Sequence, residues 1–187
     1  MKNIFRRKEK GFTIVEIVVA VSVFSILVMI VFGLIVAAIR EQRRHYASQD
    51  AFGQLGYALE YMSRTLRMGQ KDLTGVCIGA KENYELTHVD KGVKFINFEG
   101  ECHEFFWDTA SGRLKEVRAG EVGFITSDTI DVLNFTVKLQ NQSQSADSKQ
   151  PFVTLLVKVK GKGGEVEERF EATIQTSLSQ RNLDIRK

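Results

Sequence analysis

The sequence predicts an α+β protein in which one long N-terminal helix, membrane-spanning in its first half, packs on an antiparallel β-sheet domain. Three observations lead to this prediction. A run of 28 residues, 12–39, contains a single charge, that of Glu16. In residues 40–69 apolar side chains recur at steps of three and four, which is typical of an amphipathic helix. In residues 70–187 apolar residues alternate with polar ones instead, which is typical of half-buried strands.

The composition is that of a folded protein with little net charge. Of the 187 residues, 43% are hydrophobic and 26% are charged, which excludes a disordered chain, a collagen-like repeat and a many-pass membrane protein. Lysine and arginine number 26 against 23 acidic residues, and this excess of +3 does not predict nucleic acid binding. Two cysteines are too few for a protein held together mainly by disulfides.

The first element is a basic leader, residues 1–11, followed by the apolar run 12–39. The leader carries the cations Lys2, Arg6, Arg7, Lys8 and Lys10 and the anion Glu9. As a helix the apolar run is about 42 Å long, which exceeds the roughly 30 Å of a bilayer core. The leader favours a cytoplasmic N-terminus and an exterior C-terminal domain, although Arg40, Arg43 and Arg44 weaken the contrast. A secretory signal fits less well, because its apolar region spans only about 7–15 residues.

Glu16 distinguishes this helix from an ordinary membrane anchor. A carboxylate inside an apolar membrane helix costs a few kcal/mol and therefore suggests a function. Such a charge needs a cation as its partner, and residues 12–39 contain none. An anchor alone has no use for a carboxylate in this position.

The residues around Glu16 resemble the signal of type IV prepilins. Residues 10–16 read Lys-Gly-Phe-Thr-Ile-Val-Glu and follow a basic leader, as in that family. The resemblance implies that prepilin peptidase cuts between Gly11 and Phe12 and N-methylates Phe12. It also implies that Glu16 pairs with the N-terminal ammonium of a neighbouring subunit as filaments assemble. Cleavage would create the missing cation, and a low dielectric would strengthen the pair.

The resemblance implies a structural subunit rather than an enzyme, namely a minor pilin or pseudopilin of a type IV pilus or a type II secretion-like filament. Its expected partners are prepilin peptidase, other pilin or pseudopilin subunits, the inner-membrane assembly platform and membrane lipid. The protein is expected first as a single-pass membrane protein and then in a cell-surface or periplasmic filament. The alternative is a non-polymerising surface binding protein, an adhesin or a sensor, that uses a pilin-type anchor.

Residues 40–69 continue the helix in amphipathic form. Glu60 and Arg64 form a favourable i,i+4 pair on its polar side, and Gly69 is expected to cap its C-terminus. The apolar face that is predicted to pack on a sheet consists of Ala47, Ala51, Leu55, Ala58, Leu59, Met62 and Leu66.

The exterior domain, residues 70–187, is predicted to consist mainly of antiparallel strands. A meander is expected from segments 93–98, 101–107 and 113–117, with turns at 99–100 and 110–112. Three longer strands follow, with inward residues Leu133, Phe135, Val137 and Leu139; Val153, Leu155, Val157 and Val159; and Phe170, Ala172, Ile174 and Leu178. A turn at 161–164 joins the last two strands, and residues 141–150 are expected to form a flexible exposed loop.

The exterior domain also resembles, more weakly, the J-type minor pseudopilins of type II secretion and similar large minor pilins. The shared features are Leu-Arg-Met at 66–68, the strand at 130–139, the closing hairpin and the ending at 176–182. Those pilins often close on a Ser-Leu-Arg-Asn-like strand, whereas Gln180 interrupts that pattern here. Glu16 is a second departure, since the tip pseudopilin type usually lacks the helix glutamate.

Cys77 and Cys102 both fall in the part that is predicted to face an oxidising exterior, which favours a disulfide over two separate buried thiols. Closing the 25-residue separation between them would contribute about 3 kcal/mol. A metal site at Cys102, His103 and Glu104 is disfavoured, because adjacent residues of a strand point to opposite faces.

No motif in the chain indicates catalysis, a cofactor or a metal. There is no nucleophile elbow or metalloprotease HExxH, and residues 161–164 lack the spacing and the Ser or Thr of a phosphate loop. Phe105, Phe106 and Trp107 are expected to pack in a core rather than to form a ligand platform. Without residues 1–11 the chain has 21 basic and 22 acidic side chains, and with this formal charge of −1 it is predicted to bind no nucleic acid.

Overall fold

A computed structural model of the protein describes residues 11–141, 150–162 and 171–181. The chain divides into two units, Met1–Arg43 and Arg44–Lys187. Helix α1, Ile14–Arg67, is followed by strands β1 (Glu85–Thr87), β2 (Gly92–Ile96), β3 (Cys102–Asp108), β4 (Arg113–Arg118), β5 (Glu121–Phe124), β6 (Ile130–Gln140), β7 (Phe152–Gly161) and β8 (Glu171–Ser179). One long helix and antiparallel sheets confirm the predicted α+β, pilin-like fold.

The N-terminal part of α1 is apolar on all sides. Almost all of its large side chains between Ile14 and Ile39 are exposed, and this part is long and apolar enough to cross a membrane. Ser22 and Ser25 each donate a hydrogen bond of 2.8 Å to the backbone carbonyl four residues earlier. Both hydroxyls are therefore satisfied within the helix, as an apolar environment requires.

In the second unit one face of α1 is buried in the core. The buried residues are Ala51, Leu55, Ala58, Leu59, Met62 and Leu66. They confirm the predicted apolar face; the side chain of Ala47, also predicted there, lies outside the described part. Glu60 and Arg64 are exposed and form the predicted ion pair, with 3.0 Å between Oε1 and Nη2. The period of 3.6 residues has thus correctly identified the side of the helix that is covered.

Two antiparallel sheets form the rest of this unit. The first has the order β1-β2-β3-β4-β5, and the second the order β6-β7-β8. Strands β2, β3 and β4 confirm the predicted meander, and the positive φ angles of Gly100 and Gly112 confirm its two turns. The sequence does not predict β1 and β5, because three and four residues are too few to show an alternating pattern. The largest buried side chains of the shared core include Tyr84, Phe95, Phe105, Phe135 and Leu155.

A bulge in β6 shows that the predicted orientation of Leu133 is wrong. Alternation from Phe135 and Val137 places Leu133 on the buried face, but it is 39% exposed, and Val132 is buried instead. The register with β7 shifts between Val132 and Asn134, and this extra residue reverses the alternation upstream of it. The other predicted inward residues of β6 and β7 are buried or partly buried: Phe135, Val137, Leu139, Val153, Leu155, Val157 and Val159.

Several predicted features lie outside the described residues. These are residues 1–10 of the leader, 142–149 of the loop, 163–164 of the turn, Phe170, and residue 182 at the end of the last strand. The described part of that last strand follows the prediction. Ala172 and Leu178 are buried, and Ile174 is partly buried against the core.

Gly69 follows the end of α1, but it does not adopt the left-handed conformation of the predicted glycine cap, because its φ is not positive. The N–H of Gly69 donates to the carbonyl oxygen of Leu66 at 3.0 Å, and the hydroxyl of Tyr84 donates to the same oxygen at 2.7 Å. A Cβ at position 69 would lie 3.1 Å from this oxygen, so a larger residue would press against the helix end. Burial raises the pKa of the Tyr84 hydroxyl, which therefore remains a donor.

Gln180, which interrupts the expected ending of the last strand, joins that strand to the helix. It is buried, and its Nε2 donates to the carbonyl oxygen of Gly69 at 2.6 Å. The next residue, Arg181, donates its backbone N–H to the carbonyl oxygen of Arg67 at 2.7 Å. The carbonyls at the end of a helix have no intrahelical donors, and here the two residues that follow β8 donate to this end of the chain segment.

Candidate functional site

The predicted processing site lies directly before α1. Gly11 and Phe12 have no regular secondary structure, and the helix begins at Ile14. Phe12 is 77% exposed, and among the described residues a Cβ built on Gly11 would have no neighbour within 4 Å. No described side chain therefore packs on Gly11.

Thr13 is the N-cap of α1. Its hydroxyl accepts a hydrogen bond from the backbone N–H of Glu16 at 3.3 Å, and its carbonyl oxygen accepts one from Ile17 at 3.2 Å. Thr13 and Glu16 have the spacing of a capping box, in which a hydroxyl residue precedes an acid by three positions. The prediction of site residues missed Thr13, although the Thr-x-x-Glu pattern before an apolar run marks it.

Glu16 lies in the first turn of α1, at the positive end of the helix dipole. The dipole stabilises a carboxylate, but it does not replace a counter-ion in an apolar environment. Within the part of the chain that the structure describes, Glu16 has no ion pair. Gly11, Phe12 and Glu16 thus lie close together in the chain, and the cation for Glu16 has to come from another source.

The two cysteines form a disulfide, as predicted. The Cα atoms of Cys77 and Cys102 are 5.5 Å apart. Cys102 is the first residue of β3, and Cys77 lies in the segment between α1 and β1. The bridge therefore ties this segment to the five-stranded sheet.

Asp72 organises the same segment, although it is not among the predicted site residues. Its carboxylate is buried and accepts backbone hydrogen bonds of 2.7–3.1 Å from Thr74, Gly75, Cys77 and Ile78. Burial by itself would raise the pKa of Asp72, but the four amide donors outweigh it and hold the pKa well below its usual range. No sequence pattern marks such a residue, because its donors are backbone groups.

A polar cluster of Tyr61, His103 and Glu116 connects α1 with the five-stranded sheet. Oε2 of Glu116 accepts a hydrogen bond from the hydroxyl of Tyr61 at 2.7 Å and lies 3.1 Å from Nε2 of His103. The ring of His103 is buried next to the rings of Phe95 and Phe105. Burial lowers the pKa of His103, although the carboxylate of Glu116 opposes this shift. For Tyr61, burial and the hydrogen bond to Glu116 both act in the same direction and raise the pKa to about 12. A neutral histidine and a protonated tyrosine thus share one carboxylate.

The three residues of the disfavoured metal site point in different directions. Cys102 is in the disulfide, His103 faces the interior, and Glu104 pairs with His88 at 3.2 Å between Oε1 and Nε2. Among residues 11–141, 150–162 and 171–181, no three His, Cys, Asp or Glu side chains are grouped so that they could hold a metal ion.

The aromatic residues at 105–107 pack against neighbouring side chains. Phe105 is fully buried in the core, and Trp107 is partly buried against it. Phe106 stacks on His88, with ring centroids 4.5 Å apart. The expected packing role is therefore confirmed for Phe105 and Trp107, whereas Phe106 lies on the other face of the sheet.

An open crevice of about 490 Å³ lies between α1 and the segment that joins β5 to β6. Its lining includes Asp50, Gln54, Tyr57 and Ser127. Gln54 already donates hydrogen bonds to Asp50 at 2.9 Å and to Thr129 at 3.0 Å. The amide nitrogen of Gln54 is thus already engaged within the chain.

Comparison with known protein families identifies the N-terminal segment. Residues 6–32 match the family model of the prokaryotic N-terminal methylation motif. The match includes Gly11, Phe12 and Glu16 and supports a type IV pilin-like prepilin signal. No curated protein and no solved structure matches the chain.

Proposed function

We propose that this type IV pilin-like precursor is a structural subunit, a minor pilin or pseudopilin, of a type IV pilus or a type II secretion-like filament. The observation that carries the proposal is the methylation motif at residues 6–32, with Glu16 as the single charge of the apolar helix that follows. The weaker resemblance of the exterior domain to J-type minor pseudopilins agrees with it.

The first step is processing at the cytoplasmic side of the membrane. Prepilin peptidase cuts between Gly11 and Phe12 and N-methylates the new N-terminal Phe12. The exposure of Phe12 and the absence of helix at these two residues suit this reaction, because a peptidase needs an extended backbone. The leader leaves with five cations and one anion, so that the positive charge that favours retention in the cytoplasm is lost.

The second step is the pairing of Glu16 with the ammonium group that cleavage creates on Phe12 of a neighbouring subunit. An ammonium at the positive end of a helix is disfavoured by the helix dipole, and the carboxylate of the neighbouring subunit compensates for it. Between neighbouring subunits the pair fixes the register of two apolar helices. Removing one member of such a buried pair costs about 3–5 kcal/mol, because the other charge remains unpaired.

The partners of the protein in this scheme are prepilin peptidase, other pilin or pseudopilin subunits, the inner-membrane assembly platform and membrane lipid. The subunit waits in the bilayer with its C-terminal domain on the exterior side and then enters a cell-surface or periplasmic filament. The exterior domain has no enzymatic role in this proposal.

Intact-mass spectrometry tests the processing step. The full chain is expressed with and without prepilin peptidase, and its mass and N-terminus are determined. Loss of residues 1–11 and gain of one methyl group on Phe12 are expected only with the peptidase. A protein that still begins at Met1 in its presence would remove the basis of the proposal.

A Glu16→Ala variant tests the pairing step. Cleavage is expected to continue, whereas incorporation into filaments is expected to stop, because the ammonium on Phe12 then has no partner. Ser22→Ala is the matched control, since the Ser22 hydroxyl donates to the carbonyl of Val18 in the same helix. Both variants are compared by the amount of subunit in sheared filaments, and normal incorporation of Glu16→Ala would refute the mechanism.

The same experiment addresses the alternative, a non-polymerising adhesin or sensor on a pilin-type anchor. Such a protein would be processed but would stay in the membrane fraction whether or not Glu16 is present. The crevice beside α1 would then be its first candidate for a ligand site.

A further inference from the structure

Two cavities join into one groove between α1 and strand β5. The open crevice of about 490 Å³ beside α1 and a second cavity of about 290 Å³ share Tyr57 and Ile125 in their linings. Together they extend along α1 from Gln49 to Tyr61, which corresponds to about 18 Å of helix. An extended peptide of about five or six residues has the same length. This feature is called the α1–β5 groove.

The α1–β5 groove lies at the outer edge of β5. Consecutive side chains of a strand point to opposite faces of the sheet. Phe124 is the last residue of β5, and Ile125 continues the ladder, because its N–H donates to the carbonyl oxygen of Leu114 in β4 at 2.9 Å. Both Phe124 and Ile125 nevertheless line one cavity together with Tyr57 and Tyr61 of α1. A cavity that contacts both faces of the sheet passes around the edge of the strand.

The edge of β5 directs backbone groups into this groove. The bond from Ile125 to β4 determines which residues of β5 face β4, because the bonds of an antiparallel ladder alternate. Gly123 therefore bonds to β4, whereas Val122 and Phe124 direct their N–H and C=O groups away from it. β5 is the last strand in the order β1-β2-β3-β4-β5, and no described backbone group bonds to Val122 or Phe124 from the other side. These groups are a template for a further strand.

The charges around the α1–β5 groove favour a basic ligand. Its charged lining residues are both acidic, Asp50 and Glu116, and a further acid, Glu121, begins β5. Among the described residues neither Asp50 nor Glu121 has an ion pair. The three basic side chains of β4 are engaged within the chain: Arg113 with the carbonyl oxygen of Thr126, Lys115 with Asp108, and Arg118 with Glu99 and Glu101. Two carboxylates without a cation partner thus lie beside this edge.

We propose that the α1–β5 groove binds an extended segment of a partner protein that carries lysine or arginine side chains. The segment adds to the edge of β5 as a further strand, and its backbone bonds to Val122 and Phe124. On one face its side chains pack against Tyr57 of α1, whose side chain is 72% exposed. Its cations pair with Asp50 and Glu121. This binding goes beyond the proposed function, which depends on the N-terminal segment.

Fluorescence anisotropy with the full chain in a non-ionic detergent tests the proposal. The probe is a labelled peptide with blocked ends, Lys-Thr-Val-Thr-Val-Lys, which combines residues that favour strands with two cations. The native chain is expected to bind this probe saturably. Replacing both lysines of the probe by glutamate is expected to weaken binding about tenfold, because the carboxylates beside the groove then repel it.

Val122→Pro tests whether the edge of β5 is the binding site. Proline removes the outward N–H of Val122 and is tolerated on an edge strand, so that the ladder with β4 remains. Affinity for the probe is expected to fall about fivefold. Leu86→Pro is the matched control, because Leu86 faces outward on β1 at the opposite edge of the same sheet. It should leave the affinity unchanged.

Asp50→Lys gives a second readout that leaves the backbone of β5 unchanged. Asp50 is exposed on α1, and reversing its charge is expected to weaken binding of the basic probe about tenfold. Glu85→Lys makes the same change at an exposed position of β1 and should leave the affinity unchanged.

The proposal is overturned if the native chain does not bind the basic probe saturably or binds the acidic probe equally well. It is also overturned if the two β1 variants weaken binding as much as Val122→Pro and Asp50→Lys do. Self-association of the native chain that Val122→Pro abolishes would identify a second copy as the occupant and would likewise overturn it. None of these outcomes affects the processing and pairing tests of the proposed function, which concern Phe12 and Glu16.

Discussion

Both halves of α1 contain large apolar side chains, but those of the N-terminal half are exposed, whereas one face of the second half is buried. Phe24, in the N-terminal half, is 66% exposed, whereas Met62, in the second half, is fully buried. The second half contacts its apolar partners in the same chain, whereas the large side chains of the first half are exposed among the described residues. The stability of the second unit, Arg44–Lys187, which is called the exterior unit after its predicted location, therefore comes from contacts within the chain.

Truncating one phenylalanine in each region tests this contrast, and the buried one is expected to give the largest loss of unfolding free energy. Phe105 is fully buried, with ring centroids 5.9 Å from Tyr61 and 5.6 Å from Phe95. Phe105→Ala is expected to lower the free energy of unfolding of the exterior unit by about 4 kcal/mol, because it leaves a cavity. Denaturant titration of the full chain in detergent, followed by the fluorescence of its single tryptophan, Trp107, measures this loss.

Phe24→Ala is the matched control for that prediction. The same truncation at an exposed position of the N-terminal half should leave the unfolding midpoint of the exterior unit unchanged. Equal losses for the two variants would contradict the independence of the two regions.

The disulfide gives the next largest effect. Replacing both Cys77 and Cys102 by serine is expected to lower the stability of the exterior unit by about 3 kcal/mol, because the 25-residue loop is no longer closed in the unfolded chain. The same titration measures the loss. Reduction of the native chain should produce a similar loss, and reduction of the double variant should produce none. A native chain whose midpoint is insensitive to reductant would show that the bridge contributes little.

Asp72 gives the smallest of the three effects and a dependence on pH. Because the pKa of Asp72 is lower in the folded protein than in the unfolded chain, its contribution is complete above about pH 5 and decreases as the pH falls towards the folded pKa. Asp72→Asn is expected to cost about 1–2 kcal/mol at pH 7 and to flatten the decline in stability below pH 5. Denaturation midpoints between pH 7 and pH 3 measure both effects.

Asp128→Asn is the control for the pH dependence, since Asp128 is exposed. It should retain the acid-dependent loss of the native chain. An Asp72→Asn variant with the same pH profile as the native chain would show that the four amide donors do not determine the acid sensitivity.

Regular elements could be predicted from the sequence where a period extends over enough residues. The buried face of α1 from Ala51 to Leu66 and the alternation in β7 depend on such periods, and both are confirmed. Leu133 was assigned to the wrong face because a bulge changes the alternation by one residue, and no residue type at that point requires it. Strands β1 and β5 are too short to carry a period at all.

Contacts between residues distant in the chain were harder to predict than the elements themselves. Gln180 appeared only as an interruption of a family-like ending, and its hydrogen bond to Gly69 spans 111 residues of chain. The carboxylate of Asp72 is held by backbone amides, which every residue but proline possesses. The site at Gly11, Phe12 and Glu16 was easier to recognise, because its chemistry is contained in a short continuous segment.

The bonds from Gln180 and Arg181 to the end of α1 determine when the exterior unit can be completed during synthesis. The ribosome makes the helix end first, and Gln180 follows its acceptor Gly69 only 111 residues later, with Arg181 directly after it. At ordinary translation rates this interval lasts roughly 6–20 s. Throughout that time the end of α1 lacks these two donors. The nascent chain therefore has an interval in which chaperone binding can compete with the closure of its own fold.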